Sequence, residues 1–138
     1  MAQKIYLAVV GGIFVASAVF ALIDPHTLGA AMGIAAADPS GVTEIRATYG
    51  GLVAGIGLLM ISGVWSPRLA FAGLACAVFG VGALALTRLV VEVIDGNPGI
   101  SANQGLATVF ELVVLALGVL FLRRMLRSQA LWTVKNER

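Results

Sequence analysis

Apolar residues gather in four runs, 5–23, 42–64, 69–94 and 104–122, separated by shorter polar breaks. Each run is long enough to cross about 30 Å of hydrocarbon as a helix. Helices are the expected element because a bilayer leaves backbone polar groups no water to bond, and the chain is too short for a closed barrel. The pattern therefore predicts an all-α fold, an integral membrane four-helix bundle occupying residues 1–124. Residues 24–41 form a long connection, and residues 125–138 form a basic tail that rests on lipid headgroups. The turn Trp65-Ser66-Pro67-Arg68 makes the second and third runs an antiparallel hairpin. In the long connection, Asp24-Pro25 reads as a helix N-cap with proline at the first helical position. The weakly apolar stretch from Thr27 to Ile34 fits either a short interfacial helix or a plain loop.

Charge orients the bundle. Lys4, Arg68, Arg123, Arg124, Arg127, Lys135 and Arg138 flank one set of ends, whereas only Arg46 and Arg88 accompany Asp24, Asp38, Glu44, Glu92 and Asp95 at the other. By the positive-inside rule both termini are expected to be cytoplasmic, with Trp65 and Trp132 at that interface. Lys4 followed by an apolar stretch and Ala16-Ser17-Ala18 imitates a secretory signal. The run continues through Val19 to Ile23, however, so a retained span is expected.

Composition narrows the classes further. The chain has 138 residues, 59% hydrophobic and only 12% charged, with a mean hydropathy of +0.99. A soluble domain carries about 25% charged residues. One cysteine, Cys76, excludes an internal disulfide, and one histidine, His26, makes a poor start for a metal site. No zinc-protease, phosphate-loop or serine-hydrolase motif is present, so neither metal nor cofactor is expected. Nucleic acid binding has no basic-aromatic face to rest on. Membrane lipids are the expected partners, together with another membrane protein or a second copy of the chain.

Ionisable groups in or at the edge of apolar runs are the candidate site, because each costs on the order of 3 kcal/mol unless it is paired or used. These are Glu44, Arg46, Arg88, Glu92 and Glu111, with Tyr49 beside them. Helical spacing places Arg88, Glu92 and Asp95 on one face of the third span. It places Gln104, Thr108, Glu111 and Gly118 on one face of the fourth, and Arg46, Tyr49, Gly50 and Val53 on one face of the second. At 1.5 Å per residue, Arg46 lies about 5 Å in, Tyr49 and Arg88 about 9 Å, and Glu111 about 12 Å. Gly11-Gly12, Gly51/Gly55, Gly73/Ala77 and Gly80 supply close approach, and the Gly51/Gly55 pair is expected to pack helices within the chain. The cluster fits two readings: a ligand or proton site, or an ion-pair network that only fixes helix register.

The segment Glu44-Ile45-Arg46-Ala47-Thr48-Tyr49-Gly50-Gly51 resembles an uncharacterised bacterial family of small four-helix membrane proteins, domain-of-unknown-function family 4345. Asp24-Pro25, Arg88, Asp95-Gly96 and Glu111 fit the same family, and the likeness covers roughly residues 5–125. It implies a bacterial inner-membrane location and no activity. Three functions remain in order: a binding or accessory subunit with an outward-facing polar pocket for a lipophilic ligand or partner helix; a membrane enzyme, an isomerase or lipid-modifying activity, with Glu111 as acid or base; and a component of a proton-coupled transporter. The last is weakened because Leu112–Leu122 and Leu52–Ile61 carry no polar side chain.

Overall fold

The computed structural model describes residues 1–95 and 102–136, without the side chains of residues 92, 93, 95, 102–104 and 129–136. It is helical throughout, with no strand among the described residues. Helix α1 (Ala2–Ile23) is followed by the short α2 (Pro25–Ala31). The second span runs from α3 (Pro39–Ile45) through a π-helical segment, Arg46–Leu52, into α4 (Val53–Ser62). The third runs from α5 (Pro67–Cys76) through a second π-helical segment, Ala77–Val81, into α6 (Gly82–Asp95). The long α7 (Ala102–Asn136) completes the chain and carries the basic tail onward as helix. Four of these helical stretches are long and apolar enough to cross a membrane.

Three helices open with the same device, a capping oxygen followed by proline. Asp24 Oδ1 accepts from Thr27 N at 3.1 Å, Asp38 Oδ1 from Gly41 N at 2.8 Å, and Ser66 Oγ from Leu69 N at 3.5 Å. Each cap satisfies an otherwise orphaned amide, and proline gives up an N–H that has no helical partner anyway. The first cap resolves the Thr27–Ile34 alternatives in favour of a helix. Gly33 ends it with a positive φ of 72°, and Ile34 N donates to Gly29 O at 2.8 Å. Such a φ is open to glycine at little cost.

The Asp24 cap has a pH signature. The Thr27 hydroxyl, then the Thr27 amide, hold this carboxyl below its usual value, and His26 adds a smaller pull the same way. Stabilisation of α2 is therefore complete above the unfolded carboxylate range and fades as pH falls through the lowered folded value. Protection factors of the Leu28 and Gly29 amides, taken relative to intrinsic exchange at each pH, should fall on acidification and should be low at all pH values in Asp24→Ala.

Packing starts from glycine. A Cβ on Gly11 would lie 2.7 Å from Gly57 O, and one on Gly57 would lie 2.7 Å from Gly11 O, so α1 and α4 touch backbone to backbone. Gly63 lets the start of α5 come equally near, with Ala70 Cα 2.8 Å from its notional Cβ. The core then forms around Tyr6, Leu7, Met60, Leu74, Ala77, Val81 and Val114. Only 22–39% of the residues in each span are buried within the bundle. Dispersion and close packing hold it together, because lipid gives apolar side chains no incentive to leave.

The expectation for Gly51/Gly55 is corrected. Both face open space, and Gly50 and Gly57 make the contacts of this span with α1 instead. Gly50 and Gly57 are seven residues apart and so share the face turned to α1, while Gly51 and Gly55 share a different one.

Candidate functional site

The middle of the molecule is tied together by Tyr6. Its hydroxyl donates to Val114 O at 2.8 Å across α1 and α7, and its ring meets Phe121 at 5.3 Å. Gly118 makes room, with the Tyr6 hydroxyl, Val78 and Ala77 all against its α-carbon face. Towards the Asp24 end the arrangement changes. The Arg46–Leu52 segment leans on α1, while α6 packs on α7 and on Ala77–Val81. This half is thus built as two helix pairs. Phe14 of one pair and Phe110 of the other stack at 6.3 Å, tilted by 56°, at the depth where the pairs join.

Glu111 is the residue after Phe110. It is 7% exposed, and Thr108, one turn earlier on the same face, is equally buried and has a partner of its own. Arg88 of α6 reaches Glu111, Nε to Oε2, at 3.3 Å; its side chain remains 25% exposed. The approach is close enough for an ion pair but is not a formed hydrogen bond. Arg88 Nε and Glu111 Oε2 are both buried, and neither has a hydrogen-bond partner among the described residues. Their opposite charges at this distance offset only part of the desolvation, which for a buried polar atom without any partner is about 1–3 kcal/mol. Retention at that cost needs a reason.

The other residues of the predicted cluster are distributed differently. Glu44 and Arg46 are exposed and Tyr49 is half-buried. Arg46 lines a depression of about 530 Å³ at the Asp24 end with His26, Asp38 and Thr43. Among the described residues Arg46 has no ion pair, and the Arg88–Glu111 contact is the one salt bridge. The side chains of Glu92, Asp95 and Gln104 lie outside the described residues, as do those of Trp132 and Lys135. The second-span stripe assumes regular helical spacing across a segment that is not α-helical. Nothing in that spelling announces a π turn, apart from the paired glycines Gly50-Gly51. No group of His, Cys, Asp and Glu among the described residues could hold a metal.

Sequence reasoning also missed an apolar groove of about 430 Å³ on the flank of α1 and α7. It is walled by Ile5, Val9, Ile13, Phe110, Val113 and Leu117 and floored by Tyr6 and Phe121. Apolar residues facing lipid and apolar residues lining a groove look the same in a hydropathy pattern.

A family model described as "Domain of unknown function (DUF4345)" matches residues 2–122. No curated protein and no solved structure matches the chain.

Proposed function

Since the chain belongs to this family, whose description carries no activity, we propose a function from the site alone: a multi-pass protein of the bacterial inner membrane, both termini cytoplasmic, that binds a lipophilic molecule between its two helix pairs. The carrying observation is the Arg88–Glu111 contact, with a buried donor and a buried acceptor 3.3 Å apart and no hydrogen bond on either. One hydroxyl or amide group on a ligand satisfies both, accepting from Arg88 Nε and donating to Glu111 Oε2. The neighbours of both residues along their helices, Leu89 on α6 and Phe110 and Leu112 on α7, are apolar and suit the remainder of such a molecule, and the exposed quarter of Arg88 is the approach.

Binding is favoured over catalysis on the same geometry. A general acid or base needs a reacting partner, and the charged group the structure sets against Glu111 is a guanidinium, which orients and stabilises charge but does not exchange a proton at neutral pH. An accessory role fits this reading: the protein would hold a ligand, or a partner helix bearing a polar residue, in the outer half of the membrane.

Mass spectrometry of the intact protein released from mild detergent tests this reading. Wild type should carry a lipophilic adduct that Glu111→Leu, which removes the acceptor, releases while helical content is retained. Wild type free of any adduct or partner, or an adduct equally held by Glu111→Leu, overturns it.

A further inference from the structure

We infer that the cleft between the start of α5 and α7, at the Trp65 end of the bundle, seats the headgroup of an anionic phospholipid. The cleft is about 380 Å³ and is lined by Pro67, Arg68, Phe71 and Leu126. This site is independent of the Arg88–Glu111 contact, which lies in the other half of the molecule.

Charge selects the occupant. Lys4, Arg68, Arg123, Arg124 and Arg127 are all exposed at this end, and none has an ion-pair partner among the described residues. The described carboxylates, Asp24, Asp38, Glu44 and Glu111, all lie elsewhere. On α7, Leu126 enters the cleft with Arg123 one turn before it and Arg127 directly after it. Arg68 is thus the cation in the lining, beside the apolar Phe71 and Leu126, with further cations nearby in the sequence of α7. Depth agrees with this assignment. Trp65, 76% exposed, stands beside the α5 start, where an indole prefers the membrane interface. Arg68 is therefore at phosphate level, and Phe71, about 4.5 Å deeper along the helix, is at the level of the glycerol and upper acyl carbons. A lipid phosphate joined to an apolar body matches both parts of the lining. Basic pockets between helices at a membrane surface bind headgroups by this chemistry.

The test is lipid titration of the purified full chain in detergent, read as bound lipid by native mass spectrometry, with dioleoyl-phosphatidylglycerol against dioleoyl-phosphatidylcholine. Phosphatidylglycerol should bind in preference, and Arg68→Gln should weaken it about tenfold, the loss of one hydrogen bond to a charged group. Lys4→Gln, a cation outside the cleft, should retain most of the preference. Equal losses in the two variants would mean diffuse attraction and overturn the site, as would equal binding of the two lipids by wild type. Competition by millimolar inorganic phosphate as effective as that by the lipid would overturn the assignment to a lipid. Leu126→Asp, with its helical content checked, should abolish the preference, because it puts a like charge on the wall.

Discussion

Gly57→Ala will destabilise the folded protein by about 1–3 kcal/mol, while Gly55→Ala, on the same helix, will change stability by no more than about 1 kcal/mol in either direction. The added methyl at Gly57 meets Gly11 O at 2.7 Å, and a backbone carbonyl inside a helix cannot rotate away. Val15 and Phe14 close the other sides at 2.9 and 3.0 Å. The two helices must separate, and the dispersion contacts along their length go with them. At Gly55 the same methyl meets nothing within 4 Å. Denaturant-driven loss of helicity in a fixed detergent measures both variants, and a Gly55 effect equal to that of Gly57 would contradict this interface.

Arg88→Ala carries the second large effect, a loss of about 3–5 kcal/mol, because it strands the Glu111 carboxylate among apolar side chains. Glu111→Gln should cost less, about 1–3 kcal/mol. The amide still presents an acceptor, and the partly exposed Arg88 has a stem long enough to carry its charge towards the interface. Replacing both residues together, Arg88→Met with Glu111→Leu, should restore most of the stability, since a buried ion pair and a well-packed apolar pair are often equivalent. The same melts with adduct analysis then separate two roles. A contact that only sets helix register gives a stable double variant with unchanged adduct, whereas a binding contact gives a stable double variant with none.

The candidate site was legible in the sequence to the extent that chemistry is scarce in it. An arginine in the third span and a glutamate in the fourth stand out against Leu, Val and Ala, and the structure brings Arg88 and Glu111 together. Arg46 and Tyr49 stand out equally, but their direction depends on how the backbone winds through Arg46–Leu52, and that segment is π-helical. Their position relative to Arg88 was beyond the reach of a 3.6-residue period. The Gly51/Gly55 expectation failed because a spacing rule identifies which glycines can meet a neighbouring helix, not which of Gly50, Gly51, Gly55 and Gly57 do.

What the sequence determined by itself is the apolar surroundings and the all-helical class with its four long stretches. Four apolar stretches with so few charges have no stable state in water, and lipid then compels helices, because every amide must bond within its own segment. The Asp24-Pro25 cap was legible because capping is local; the equivalent caps at Asp38 and Ser66 start their helices at Pro39 and Pro67, a few residues before the apolar runs that marked them. Tertiary structure alone decided which helices pair. In lipid the apolar faces are nearly equivalent, so pairing turns on contacts that hydropathy does not encode: Gly11 against Gly57, the Tyr6 hydroxyl on Val114 O, and the Arg88 guanidinium beside Glu111.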